Sequence, residues 1–273
     1  MSESGALQIE FLLVAFGIGA TFFVGSIVLM NFGRYLGARH LAHEGASAVY
    51  GHNVIDSAVF ALLGLLLAFV ISGSLQRFDE RRQLILQEMN AISTAYDRLD
   101  QFESDVGSKL KTDLKNYLQA RIKLYHLPID FSLWSGLATF STEQQAKIRT
   151  QRAAVWNGAI AACPPTISRT ACTLLLPSLN SVFEAAQLRA GANERHPPLI
   201  IYLMLFGLGF SASLVAGFGM AATKRRSWVH MLTFAGSLAF VLYVVTDLEY
   251  PRLGLIRTEA FDHFLIDLYN QLR

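Results

Sequence analysis

Charge is scarce in this chain. Only 16% of its 273 residues are charged, whereas soluble proteins carry about 25%. The deficit is concentrated in four uncharged apolar stretches at about 11–30, 57–75, 198–222 and 228–246. Each stretch is roughly 19 to 25 residues long, and about 20 are needed to cross the hydrocarbon core of a bilayer. The stretches therefore predict an integral membrane protein with four spanning helices.

Further absences narrow the function. No Asp, Glu, Lys or Arg lies in the middle of a stretch and no proline interrupts one, which argues against a coupled transporter with a discontinuous helix. The chain has no phosphate-binding loop, no zinc-protease motif and no nucleophile elbow, so we expect no enzyme activity and no catalytic residue. A net charge of +2 is too small to indicate nucleic-acid binding.

Histidines offer weak evidence for a metal. His40, His43 and Glu44 have near-helical spacing in what we interpret as a loop after the first span, and His52 is nearby. They could ligate a metal ion, but a solvated interfacial loop is the simpler interpretation. We expect no metal and no cofactor.

The pattern outside the spans is helical. We find no strand-like period, so the predicted fold is all-α: a four-helix transmembrane bundle with an inserted extramembrane helical domain between spans two and three. The predicted parts are 1–76 with spans one and two, 77–197 as the inserted domain continuing from span two, 198–250 with spans three and four, and 251–273 as a turn and an amphipathic helix.

Periodicity also places helices in the inserted domain. The second helix is predicted to continue to about Phe102, because Ile85, Ile92, Ala95 and Leu99 share one apolar face. Other helices are predicted at about 108–127, from a cap at Ser141 through Ala162, up to about Ala190 with a kink or restart at Pro177, and after a cap at Thr258.

Small residues recur every four positions in the spans. The residues predicted to pack helices closely are Gly17, Gly25, Gly64, Ala68, Gly209, Ser213 and Gly217. Small side chains at this spacing favour tight helix packing within or between subunits. The alternative is the wall of a pore with low relief.

Charged residues gather where the predicted spans meet one membrane face. The candidates for an ion pathway or gate are Arg77, Asp79, Arg81, Glu88, Asp247, Glu249 and Arg252. Glu88 falls inside the apolar stripe of the second helix, and an unpaired buried charge is costly. We hypothesise a buried ionic network between the second helix and the turn after the fourth. Its functional form is a charged mouth that selects or gates ions, and its alternative is interfacial charge pairing.

Loop charge predicts the orientation. Arg34 and Arg39 follow span one, and Lys224–Arg226 fill the loop between spans three and four, so this side is predicted to be cytoplasmic. The termini and the helical domain would then be extracytoplasmic, in a bacterial inner membrane. Cys163 and Cys172 are the only cysteines and both lie in that domain, where they could form a disulfide or remain two small buried side chains.

Two segments resemble a known family. The first segment is Arg77-Phe78-Asp79 with Arg81-Arg82, Glu88, Asn90-Ala91-Ile92, Thr94-Ala95-Tyr96 and Arg98. The second is Asp247-Leu248-Glu249 with Pro251-Arg252, Gly254 and Ile256. Together with the four spans they are similar to a bacterial membrane family labelled bestrophin-like. Met89 and Glu249 depart from its usual Ala and Asp, and we match no aromatic pore neck.

The resemblance implies an ion channel, because bestrophins are four-span homopentameric channels that select anions in animals and cations in some bacteria. It also implies a cytoplasmic helical domain, against the loop-charge prediction. We therefore expect a homo-oligomer in a lipid bilayer that conducts small inorganic ions, with no nucleic-acid partner. The alternative is a membrane-anchored sensory or scaffold protein whose helical domain binds a partner or a ligand.

Overall fold

The computed structural model describes residues 3–44, 53–126, 130–131, 138–139, 142–163, 169–223, 227–251, 253–256 and 259–272. Their helices are α1 Glu3–Glu44, α2 Asn53–Arg98, α3 Ser104–His126, α4 Thr142–Ala162, α5 Arg169–Asn193, α6 Leu199–Gly219, α7 Trp228–Glu249 and α8 Glu259–Gln271. Short 3-10 turns follow α2 at Leu99–Gln101 and α6 at Met220–Ala222. The predicted helical fold is thus confirmed for the part of the chain described.

One small element departs from the all-helical prediction. β1 Asp130–Phe131 pairs antiparallel with β2 Ala138–Thr139, with Asp130 opposite Thr139. Two residues per strand are too few to show a period of two, so the sequence pattern could not reveal this ladder. The predicted cap residues Ser141 and Thr258 lie outside the described residues. The helices α4 and α8 begin at the next residue in each case, Thr142 and Glu259.

Four of the helices are long and apolar enough to cross a membrane, as predicted. They are α1, α2, α6 and α7. The first two are much longer than a bilayer requires, since the 42 residues of α1 and the 46 of α2 extend about 63 and 69 Å. The predicted loop after span one was wrong, because Arg34, His40 and His43 belong to α1. Among the described residues no group of His, Cys, Asp and Glu is arranged to hold a metal, and His52 lies outside them.

The chain divides into two compact units. Unit 1 comprises Met1–Gln8, Arg77–His196 and Arg257–Arg273, and unit 2 comprises Ile9–Gln76 and Pro197–Ile256. Helix α2 therefore contributes its first part to unit 2 and its remainder to unit 1.

Unit 1 is built around the apolar faces of its helices. The predicted stripe of α2 is buried, with Ile92 and Ala95 fully enclosed. It packs with Leu114 and Tyr117 of α3 and with side chains of α4, α5 and α8 in one cluster. Pro177 neither ends nor restarts a helix, because α5 runs through it from Arg169 to Asn193.

Unit 2 buries fewer large side chains. One cluster contains Phe22 of α1, Leu63 and Val70 of α2, Leu205 of α6 and Leu242 of α7. Aromatic contacts join α1 to α6, because the ring of Phe22 stacks on that of Phe210 with ring centroids 5.0 Å apart. Many apolar side chains of these helices stay exposed in the single chain, as expected where lipid or another copy replaces water.

Candidate functional site

A buried ionic cluster lies inside unit 1. The carboxylate of Glu88 is fully buried and accepts one hydrogen bond on each oxygen. Arg121 Nε of α3 donates to Oε1 at 2.7 Å, and Arg189 Nη1 of α5 donates to Oε2 at 3.0 Å. Both guanidinium groups are almost as deeply buried as the carboxylate. Three helices are thus joined through a single acidic side chain.

Tyr125 completes the cluster. Its hydroxyl accepts a hydrogen bond from Arg121 Nη2 at 2.8 Å, and the Arg189 guanidinium carbon lies 3.5 Å from the centre of its ring. Arg121 Nη2 also donates to the Ala186 carbonyl at 3.3 Å. Cation–π contact and these hydrogen bonds offset part of the cost of burying two cations.

The electrostatics of the cluster are consistent with full ionisation. Burial alone would raise the pKa of Glu88, but the charges of Arg121 and Arg189 outweigh burial and hold that pKa below its ordinary value. Burial lowers the pKa of Arg121, yet the Glu88 carboxylate raises it overall. Burial raises the pKa of Tyr117 to about 12, so this neighbouring phenol stays neutral at physiological pH.

The partners of Glu88 lie in helices of its own unit, which confirms that this buried carboxylate is paired. The predicted network between the second helix and the turn after the fourth span stays a prediction. Arg81 is also buried, and its guanidinium donates to the carbonyls of Ala192 at 3.2 Å and Arg195 at 2.8 Å. The Ala192 carbonyl lies in the last turn of α5, and Arg195 follows the end of that helix. A cation is favourable there because the last carbonyls of a helix have no partner within it.

The turn after α7 is organised by a second buried carboxylate, in unit 2. Asp247 is 1% exposed and accepts the backbone N–H groups of Leu255 and Ile256, both at 2.8 Å. The turn itself is closed by hydrogen bonds from the backbone N–H groups of Leu253 and Gly254 to the Tyr250 carbonyl. Asp247 therefore holds in place the second of the two segments that resemble the family, and it is not exposed to solvent.

Gly254 leaves no space for a side chain. A Cβ atom there would lie 2.6 Å from Cγ of Asp247 and overlap its carboxylate. We predict that Gly254→Ala destabilises the protein by about 1 to 3 kcal/mol, as overpacking does. Thermal unfolding in detergent measures this loss, with Gly219→Ala as control because a Cβ there meets nothing within 4 Å. Equal stability of the two variants would contradict the assigned role.

The other predicted charges differ in their exposure. Asp79 is exposed and pairs with Arg82, whose Nη1 lies 3.1 Å from Asp79 Oδ1. Arg77 is half-buried, and Glu249 is fully buried at the end of α7. Arg252 lies outside the described residues. Arg81, Glu88, Asp247 and Glu249 are at most 3% exposed in the single chain, and their assignment to an ion pathway or gate stays a prediction.

Small residues bring α1 and α6 together in unit 2. A Cβ atom on Gly217 would lie 2.7 Å from Cα of Met30, and one on Gly25 or Gly209 would meet the ring of Phe210 or Phe22. Ser213 is fully buried between Gly209 and Gly217 and donates its hydroxyl to the Gly209 carbonyl. Four of the seven predicted packing residues therefore lie in or beside this contact.

The other three predicted packing residues do not pack in this way. A Cβ atom on Gly17 or Gly64 would meet nothing within 4 Å, and Ala68 is exposed. Gly64 and Ala68 belong to a row of exposed, mostly small residues on one face of α2: Ser57, Ala61, Gly64, Ala68, Ser72 and Leu75. These residues, called here the α2 row, are exposed in the single chain.

The comparisons with known proteins now decide the family. A family model described as a Bestrophin-like domain matches residues 11–260. The chain belongs to the Bestrophin-like family. The resemblance inferred from the two sequence segments is thereby confirmed, and it covers all four spanning helices and the signature residues within α2 and after α7.

Solved structures support the same fold. A point mutant of a bacterial bestrophin homologue from Klebsiella pneumoniae superposes with a TM-score of 0.59 at 14% identity, over 92% of this chain and 98% of that one. A point mutant of a membrane protein superposes with a TM-score of 0.56 at 16% identity, over 91% of this chain and 99% of the other. Identities this low establish a shared fold only. No curated protein matches the chain.

Sequence reasoning missed both partners of Glu88. Arg121 lies within the apolar stripe of α3, between Tyr117 and Tyr125, and Arg189 continues the buried face of α5. The signal was the one that singled out Glu88: a charge in an apolar stripe. Sequence reasoning also missed the close approach at Gly33, where an added Cβ atom would lie 2.9 Å from the Leu214 carbonyl carbon.

Proposed function

We propose that this bestrophin-like protein is the subunit of a homo-oligomeric ion-conducting pore. The observation that carries the proposal is the α2 row in unit 2. Only 11% of the apolar window of α2 is buried in the single chain, and its exposed surface includes this row of mostly small and hydroxyl-bearing residues as well as large apolar ones. Such a helix is suited to face either a neighbouring copy or, along the row, an aqueous path. In the proposed pore, a contact with a neighbouring copy and an aqueous path along α2 each require several copies of the chain. The family relationship supports the same arrangement.

In this proposal the buried signature residues position the pore helix and do not touch the ion. Glu88 joins α2 to α3 and α5, and Arg81 joins α2 to the end of α5. Asp247 shapes the turn after α7. Exposed polar residues farther along α2 are the candidates for contact with ions: Gln76, Asp79, Gln83 and Asn90.

A flux assay tests the proposal. Purified protein in phospholipid vesicles should dissipate a KCl gradient, and Ser72→Trp in the α2 row should reduce the initial rate by about tenfold or more, because a bulky ring narrows the path. The control is Ser211→Trp, the same change at an exposed serine of α6. Light scattering should show an oligomer for all three proteins. Equal flux from both variants would remove α2 from the pathway.

A groove in unit 1 favours the alternative of a sensory or scaffold module. It has a volume of about 600 Å³ and is lined by α2 and α5. Its lining is rich in uncharged amide and hydroxyl groups, from Gln83, Gln87, Asn90, Thr94, Ser178 and Ser181. Such groups could orient a small ligand or a partner. Vesicles that show no flux, although the protein is folded and inserted, would favour this second function.

We further propose that unit 1 is the extramembrane domain and lies on the extracytoplasmic side. Two observations support this placement: the basic residues Arg34 and Arg39 near the end of α1, and the pairing of Cys163 with Cys172. Their Cα atoms are 5.8 Å apart and no cysteine of the chain is free in the structure. Disulfides persist in oxidising compartments. The Lys224–Arg226 loop used for the sequence prediction lies outside the described residues.

Thiol reactivity tests the orientation. Protein purified without reductant and then denatured should not react with maleimide until a reductant is added. Cys163→Ser should lower the free energy of unfolding by about 2 to 3 kcal/mol under oxidising conditions, the value expected for so short a loop, and should change nothing under reduction. Two reactive thiols in unreduced protein would contradict the extracytoplasmic placement and favour the cytoplasmic one.

A further inference from the structure

A groove between α1 and α7 is formed within unit 2. Its volume is about 430 Å³ and its surface is almost entirely apolar. Phe16, Ala20 and Phe23 line it from α1, and Ala239 and Phe240 line it from α7. Neither the α2 row nor the Glu88 cluster contributes to its lining.

Small residues form the floor of the groove and aromatic rings form its walls. Gly19 is buried where α1 meets α7, and a Cβ atom there would lie 3.5 Å from the Ala239 carbonyl oxygen. Phe16 and Phe240 stand out on either side, 70% and 66% exposed. Tyr243 closes one end, with its hydroxyl 3.5 Å from Asp247 Oδ1.

Depth restricts what can occupy the groove. Residues 16–23 lie in the central part of the stretch at 11–30, and residues 239–243 lie in the stretch at 228–246. Both segments are at the level of the hydrocarbon core, where an ion or a phosphate headgroup is costly. The occupant is therefore hydrocarbon, either a lipid chain or a side of another protein helix.

Shape decides between these two occupants. A helix with its side chains is about 10 to 12 Å across, and membrane helices approach each other closely over small residues. Here the protruding rings of Phe16 and Phe240 would hold a second helix away from the floor. A single acyl chain is narrow enough to lie between the rings and contact Gly19 and Ala20. We propose that the α1–α7 groove binds one acyl chain of a membrane phospholipid.

Native mass spectrometry of protein purified in mild detergent, after incubation with dioleoyl-phosphatidylcholine, tests this site. The wild-type chain should retain about one phospholipid per chain. Ala20→Leu, which fills the groove, should reduce retention by about tenfold, since two or three methylene contacts are lost. Phe240→Ala, which removes a wall, should reduce it too. Ala58→Leu, at an exposed alanine of α2, is the matched control and should retain the lipid.

Two results would overturn the proposal. One is equal retention by wild type, Ala20→Leu and Phe240→Ala, with all three shown to be folded by thermal unfolding. The other is efficient disulfide cross-linking between copies carrying Phe240→Cys in the Cys163→Ser, Cys172→Ser background, which would show that a second copy covers the groove. Because neither readout involves conduction, failure here is distinguishable from failure of the pore proposal.

Discussion

Glu88→Gln should lower the free energy of unfolding by about 3 to 5 kcal/mol, the cost of removing one partner from a buried ion pair. Glutamine has nearly the same shape, but it cannot compensate the charges of Arg121 and Arg189, which would remain buried. Chemical unfolding of the full chain in detergent measures the loss. We expect conduction to fall with it, because α2 loses its attachment to α3 and α5.

The matched control is Glu80→Gln on the same helix. Glu80 pairs with Arg195 at 3.1 Å, but both side chains are well exposed, so the change should cost at most about 1 kcal/mol. Replacing Glu88, Arg121 and Arg189 together by methionine should recover much of the stability, since well-packed apolar residues often replace buried ion pairs without loss. A Glu88→Gln protein as stable as the Glu80→Gln control would refute the role of the cluster.

The Glu88 cluster also predicts the direction of a pH effect. The pKa of the Glu88 carboxyl is lower in the folded protein than the ordinary value of 4.5, so the folded state favours the charged form. This contribution is fully present above about pH 4.5 and is lost as the pH falls from there through the folded pKa. Glu88→Gln should therefore show a weaker loss of stability with acid than the wild type.

Gly217→Ala should be the most damaging small change in unit 2. The added Cβ would lie 2.7 Å from Cα of Met30, and a backbone atom cannot rotate away as a side chain does. The backbones of α1 and α6 would have to separate, which we expect to cost about 3 kcal/mol, the upper end of ordinary overpacking. Met30 is fully buried, so the loss would spread to the cluster around it.

Gly64→Ala is the control for this prediction, because a Cβ there meets nothing within 4 Å in the single chain. SDS-induced unfolding of monomers in detergent should separate the two variants, with Gly64→Ala unchanged or slightly stabilised by its better helix propensity. A Gly217→Ala protein that unfolds with the wild type would show that α1 and α6 are not in direct backbone contact.

Periodicity predicted what lies within one helix and not what lies across helices. The apolar stripe through Ile92 and Ala95 is buried as expected, and the pattern correctly required a partner for Glu88. The partners are 33 and 101 residues away along the chain, however, and no period within α2 identifies them. Arg121 and Arg189 also lie among apolar neighbours in the sequence, as Glu88 does. From the sequence, these charges were not paired with that of Glu88.

Small residues show the same limit. Gly64 and Gly217 have the same spacing to their small neighbours, yet one is open and the other touches a backbone. Small residues at four-residue spacing predict a helix face without large side chains. The fold determines whether this chain, another copy or lipid covers that face. The end of α1 was missed for a related reason. Arg34 was taken to mark the end of a span, but Gly33 packs directly on α6 and the helix continues to Glu44.

Current recorded across a planar bilayer tests the central claim most directly. Wild-type protein reconstituted under a KCl gradient should give discrete current steps that are absent from empty bilayers, and their reversal potential reports the sign of the selected ion. A bilayer that stays silent, with protein shown to be folded, oligomeric and inserted, would contradict the assignment of a pore.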